Sequence, residues 1–262
     1  ETPEEFVNNL VLLFREVKRV LRDDGTVWLN LGDSYSSGGR TTTTNQSLRG
    51  DKDYGVTRPK PAKNIKQKDL IGIPWRVAFA LQQDGWYLRQ DIIWHKPNPM
   101  PESVKDRCTK AHEYIFLLSK SPKYYFDNEA IKEDAKFPDG PNSPQNIKKG
   151  KGGYGMDTRG GLSKIGALPK KNKRSVWTVT TKPFKGAHFA TFPKDLIESC
   201  VLAGCPEGGT VLDPFGGSGT TGIVANSHNR NAILVELNPD YVDIMQARFT
   251  KELGIFSKTE II

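Results

Sequence analysis

Thr210-Val211-Leu212-Asp213-Pro214-Phe215-Gly216-Gly217-Ser218-Gly219-Thr220-Thr221 is the stretch whose reading decides the fold. Thr210–Leu212 predicts a short buried strand that delivers Asp213 to its carboxyl end. The glycines then let the backbone turn sharply and approach a ligand closely, and Thr220 to Asn226 predicts a helix starting at once. Ligands of open α/β sheets bind outside the carboxyl ends of strands, so this turn is a candidate site. A glycine turn alone is shared by nicotinamide oxidoreductases, but the spacing here is Asp-x-Phe-x-Gly-x-Gly rather than G-x-G-x-x-G. No Gly-Lys-Ser/Thr follows, which disfavours a Walker A loop. Ser218 is not set in a G-x-S-x-G elbow, which disfavours a hydrolase.

Outward from this turn, Ala232–Val235 predicts a strand ending at Glu236, 17 residues after Gly219. A carboxylate there can accept hydrogen bonds from both ribose hydroxyls of an adenosine-containing cofactor. Asn238-Pro239 caps a last helix carrying Val242, Met245 and Phe249, and Pro193–Ala203 predicts a helix stopped by Gly204. At the other end, Thr2-Pro3-Glu4-Glu5 reads as an N-cap, a proline at N1 and a capping-box Glu at N3. Phe6, Leu10, Leu13, Val17 and Leu21 recur at helical spacing, and Thr26–Leu31 predicts a buried strand stopping at Gly32-Asp33. Ile73–Gln83 predicts a helix, Trp86–Trp94 and His112–Leu118 strands, and Tyr124–Phe126 the return strand of a hairpin. Repeated alternation of this kind argues an α/β sheet with helices on both faces.

The chain has 262 residues, 36% of them hydrophobic, enough for a real core and against wholesale disorder. No apolar run approaches the roughly 18 residues of a membrane helix, and no signal-peptide pattern opens the chain. Three cysteines, Cys108, Cys200 and Cys205, form no even framework and no CxxC pair, which argues for a reducing compartment and against structural zinc. His95 and His112 have no Cys or carboxylate at ligand spacing, so no metal site is expected. The net charge of +8 is uneven. Arg40–Leu70 holds eight Lys/Arg against three Asp/Glu, and Glu129–Ser175 holds eleven against five. Any one lysine run reads as a solvated loop, but two long basic segments around an ordered core fit a polyanionic partner.

These residues resemble a known family. D-P-F-G-G-S-G-T-T followed by V-E-L-N-P-D-Y is similar to motifs I and II of S-adenosylmethionine-dependent DNA amino-methyltransferases, and His188-Phe189-Ala190-Thr191-Phe192-Pro193 to their motif X. The order X, I, II at the C-terminal end resembles the β-class, as do W-L-N-L-G-D-S-Y, D-I-I-W-H-K-P-N-P-M-P and H-E-Y-I-F-L-L-S-K. The likeness covers nearly the whole chain except its two basic regions. It implies a Rossmann-like methyltransferase sheet divided into residues 1–128 (catalytic half, with a basic loop at 36–70), 129–176 (target-recognition insertion) and 177–262 (cofactor half). It implies methyl transfer from S-adenosylmethionine to an exocyclic amine of a base flipped out of double-stranded DNA, with cytosine N4 favoured over adenine N6. It further implies a cytoplasmic setting in a prokaryotic or phage-infected cell, within restriction-modification, and allows a homodimer. A nucleic-acid-binding module with a vestigial cofactor pocket is the rival reading.

By the same resemblance, Asp213, Pro214, Phe215, Gly216, Gly217, Ser218, Gly219, Thr220, Glu236, Leu237, His188, Phe189, Thr191 and Phe192 are the expected cofactor contacts. Arg159, Lys170, Lys171, Lys173 and Arg174 are the expected DNA contacts, mostly to phosphate. The family's catalytic tetrapeptide, Asp/Asn/Ser-Pro-Pro followed by an aromatic, is missing from the sequence. Asp33 and Tyr35 in Gly32-Asp33-Ser34-Tyr35 are the nearest substitutes, although a strand-end Asp more commonly caps a turn. The expectation is that the catalytic loop lies upstream of Glu1 and that the 262-residue chain alone methylates nothing.

Overall fold

A computed structural model describes residues 2–36, 65–135, 170–181, 192–253 and 258–260. In chain order its elements are α1 (Pro3–Val20), β1 (Thr26–Leu31), α2 (Ile73–Gln83), β2 (Tyr87–His95), β3 (His112–Ser119), β4 (Glu133–Asp134), β5 (Lys170–Lys171), β6 (Val176–Thr178), α3 (Lys194–Gly204), β7 (Thr210–Asp213), α4 (Thr220–Ser227), β8 (Asn231–Leu234) and α5 (Pro239–Glu252). They fall into two compact units. One holds Glu1–Tyr124 with Val176–Thr180, the other Tyr125–Ser175 with Thr181–Ile262.

The first unit is a four-stranded sheet in the order β1-β3-β2-β6. Strand β3 runs antiparallel to both β1 and β2, while β2 and β6 are parallel. The carboxyl ends of β1, β2 and β6 therefore emerge at one end of the sheet, beside the start of β3. Helix α1 begins as its sequence predicts: Thr2 and Glu5 exchange hydrogen bonds, backbone N–H to side-chain oxygen in each direction. Its buried stripe is Val7, Leu10, Phe14 and Val17, rotated slightly from the predicted Phe6-Leu10-Leu13-Val17 line. Trp75 of α2 lies edge-on against Tyr114 and Phe116 of β3, fixing the helix on that sheet face. The core is deepest along β3, where Ile115, Phe116, Leu117 and Leu118 are all buried.

The predicted Tyr124–Phe126 return strand does not form. Both edges of β3 are already paired, with β1 and with β2, so it has no free ladder to offer. Instead an extra residue, Arg89, bulges from β2, and its Nε donates to Tyr124 Oη at 3.2 Å.

In the second unit β7 and β8 form a parallel pair, Asp213 opposite Leu234. Ile223 of α4 and Met245 and Phe249 of α5 make a buried cluster against Leu234 and Leu253. A β-α-β connection of this kind puts the α4 amino terminus at the carboxyl end of β7, where a ligand site belongs. The short β4 and β5 pair antiparallel, Glu133 opposite Lys171. No described helix is long and apolar enough to cross a membrane.

Candidate functional site

At the end of β7 the chain turns through the four residues Gly216 to Gly219, and both strand-end carboxylates hold that turn. Asp213 accepts the Phe215 N–H on Oδ1 at 2.9 Å and the Thr221 hydroxyl on Oδ2 at 2.5 Å. Glu236 accepts the Gly217 N–H on Oε2 at 2.7 Å and the Asn238 N–H on Oε1 at 2.9 Å. Backbone bonds close the ring, from Gly216 N to Val235 O and from Gly219 N to Gly216 O, each 2.8 Å. Glycine is required at 219 on two grounds. Its φ is +78°, and a Cβ there would lie 2.6 Å from Met245 Cγ and 2.7 Å from Phe249 Cε1. Gly219 is also the N-cap of α4, whose first residues Thr220 and Thr221 are buried.

One participant escaped the sequence reading. Arg248 of α5 reaches under the turn and donates from Nη1 to Ser218 O at 2.7 Å, Ser218 Oγ at 2.8 Å and Thr220 Oγ1 at 3.1 Å. Glu252 accepts from Arg248 Nε one helical turn on, and Lys194 of α3 completes the chain of charges on Glu252. The i,i+4 spacing of Arg248 and Glu252 is legible in the sequence as a helix pair. Nothing local signals that the guanidinium reaches 30 residues back.

The turn remains open to a ligand. Phe215 is 56% exposed and Leu237 96% exposed, two large apolar groups flanking the carboxylates. An ionised carboxylate can accept about four hydrogen bonds, so Glu236 keeps capacity beyond its two backbone N–H partners. That set fits a vicinal diol joined to a flat apolar base. Among the motif X residues, Phe192 is half-buried beside Pro193, the N-cap of α3. His188, Phe189 and Thr191 lie outside the described residues.

The first unit presents a second polar end. Asp33 Oδ1 accepts the N–H groups of Ser34, Gly72 and Ile73 at 2.9–3.1 Å, capping α2 from a distant part of the chain. Lys110 Nζ donates to the Asp33 carbonyl at 2.7 Å, and burial pulls the Lys110 ammonium below its ordinary pKa. Tyr35 bridges to Leu70 and carries Arg107 on its ring face, 3.9 Å from the centroid. Lys96 pairs with Glu113 and stands over the ring of Trp94, and Glu113 also accepts from Asn30. Trp94 is core, 3% exposed with its Nε1 donating to Val179 O.

Among the basic candidates, Lys171 and Arg174 both pair with Glu133, at 3.5 and 2.6 Å. Burial would raise the Glu133 carboxyl, but Arg174 and Lys171 outweigh it and hold the group below its ordinary value. Lys170 is exposed on β5, Lys173 lies two residues beyond β5, and Arg159 lies outside the described residues. Among the described residues no cluster of His, Cys, Asp and Glu could hold a metal ion.

Comparison with known proteins follows the same lines. The pattern of the N6_N4_Mtase family, described as DNA methylase, matches residues 1–247. The Type II methyltransferase M.Cfr9I of Citrobacter freundii is 49% identical over 95% of this chain and 72% of its own length. The Type II methyltransferase M.SmaI of Serratia marcescens is 48% identical over 94% and 75%. Among solved structures, the cytosine-N4-specific PvuII DNA methyltransferase superposes with a TM-score of 0.63 at 18% identity, over 94% of this chain and 71% of that one. A Thermus thermophilus protein solved in complex with S-adenosyl-L-methionine gives 0.56 at 21% identity over 97% of this chain and 80% of that one.

Proposed function

The chain belongs to the N6_N4_Mtase family of DNA methylases, and from that premise we propose that the glycine turn of the second unit binds S-adenosylmethionine for methylation of an exocyclic base amine in DNA. The observation that carries this reading is the pair of carboxylates, Asp213 and Glu236, at adjacent tips of parallel strands, both bonded to the turn between them. Glu236 receives the ribose hydroxyls. Leu237 and Phe215 supply apolar contact for adenine, and Asp213 with Gly216–Thr220 orients the amino-acid end. By the resemblance of motif X, His188, Phe189, Thr191 and Phe192 are the further contacts to that end.

The donor supplies an electrophilic methyl carbon on a sulfonium, so no group of the protein need become a covalent nucleophile. What the chain contributes is alignment and electrostatics, the usual sources of rate in such transfers. A turn bonded on every side before binding needs little reorganisation when the donor arrives. The target is cytosine N4. The support for N4 over N6 is the resemblance of the whole sequence pattern to N4-specific members of the family rather than any one side chain. Residues 129–176, with Lys170 and Lys173, take part in target recognition on double-stranded DNA. Arg174 and Lys171 shape that segment through Glu133 as well as adding charge.

Two measurements test this. Calorimetric titration of the full-length protein with S-adenosylmethionine should give binding that Asp213→Ala and Glu236→Ala each weaken by roughly 10–100-fold, the worth of hydrogen bonds to a charged group. Nucleoside mass spectrometry of DNA treated with the protein should then give N4-methylcytosine. N6-methyladenine instead would overturn the base assignment, and binding indifferent to both substitutions would overturn the site.

A further inference from the structure

Between β2 and β3 the chain runs Pro97-Asn98-Pro99-Met100-Pro101. The chain bends at Pro97-Asn98, and prolines at alternate positions fix φ and restrict the residues before them, so this arm has few conformations open to it. Both ends of the arm are fastened. At its start, Lys96 donates its N–H to Ala111 O at 2.8 Å and pairs with Glu113. At its end, Glu102 takes Arg107 bidentately, at 2.6 and 3.2 Å, and accepts the Lys110 N–H at 3.1 Å. Arg107 in turn lies on Tyr35, and Lys110 holds the Asp33 carbonyl.

Met100 stands out on this arm with 86% of its surface exposed. Single exposed apolar side chains are ordinary on protein surfaces. This one differs because a braced, proline-stiffened segment holds it out, where an unconstrained loop could fold a methionine back. It also stands in a cationic setting: Lys96–Lys110 carries four Lys/Arg against two carboxylates, and Lys105 is exposed. The arm leaves from the carboxyl end of β2, the same end at which β1 delivers Asp33 and Tyr35.

We infer that Met100 is a wedge that enters the base stack of DNA beside the target nucleotide and fills the space the nucleotide leaves when it turns outward. This rests on the proposed function, which requires a flipped base. Proteins that unstack DNA commonly insert an apolar side chain, methionine among them, from a positively charged surface. An unbranched thioether adapts to an irregular gap while the rigid backbone behind it limits the entropy lost.

The test uses the full-length protein and a duplex bearing its site, identified by sequencing DNA that the wild type has methylated. Single-turnover methylation is compared on the normal duplex and on one whose target base faces an abasic position, where little pairing opposes flipping. Met100→Ala should slow the paired duplex by about ten-fold or more and the abasic duplex by no more than about two-fold. Met100→Leu should stay near wild type on both. Equal rates for Met100→Ala and wild type on the paired duplex, or equal slowing on both duplexes, overturn the wedge and leave the methylation reading standing. A wild type that transfers no methyl group to any DNA overturns both.

Discussion

Asp213 and Asp33 occupy the same formal position, the carboxyl tip of a strand, and both use a carboxylate to collect backbone N–H groups. The company they keep separates them. Asp33 spends one oxygen on Ser34, Gly72 and Ile73 and thereby caps α2, a structural task. Asp213 bonds into a glycine turn that a second carboxylate, from the neighbouring parallel strand, grips from the other side. Flanking that pair are exposed Phe215 and Leu237, whereas beside Asp33 Tyr35 is covered by Arg107. The proposed site thus differs from the capping Asp in two ways: a second carboxylate matches it from the adjacent strand end, and the turn between leaves apolar surface uncovered.

The sharpest blow to this contrast falls on the turn itself. Gly219→Ala adds positive-φ strain and a clash with Met245 and Phe249, together worth roughly 2–4 kcal/mol of stability. Urea denaturation would read it, and an unchanged midpoint would mean the turn is not held as described. Next comes Arg248→Ala, which removes three bonds from a charged donor. Affinity for S-adenosylmethionine should fall by about ten-fold, and Arg248→Lys should restore part of it, since an ammonium lacks the planar fork. Asp33→Ala, by contrast, should cost about 1 kcal/mol of stability, as loss of a helix cap does, and leave donor affinity where it was. A drop in affinity with Asp33→Ala would erase the distinction between the two tips. Smallest in energy is a thiol count. Cys108 is exposed while Cys200 and Cys205 are buried, and burial pushes both of their thiols up. Of these three, a thiol reagent should therefore label Cys108 alone in the folded protein and all three after denaturation, read by peptide mass spectrometry.

Much of this was legible in advance. The strand, turn and helix at 210–227 and the capping box at Thr2 are local patterns, written by neighbouring residues, and they appear where the sequence puts them. The failed hairpin at Tyr124–Phe126 marks the limit. Its aromatic residues suit a strand, but strand formation depends on a free partner, and β3 had none left. Arg248 marks the same limit for the site: its role depends on α5 crossing beneath a turn 30 residues upstream, a fact of tertiary placement. The same holds for Asp33, whose capped helix begins about 40 residues later.

The underside of the glycine turn leaves room for no Cβ at 219 because α5 fills it with Met245 and Phe249. Helix α5 is thus the floor of the glycine turn. A version of the protein cut short just after Tyr241 would keep both quoted motifs and still lose Met245, Arg248 and Phe249, the side chains that support the turn from below.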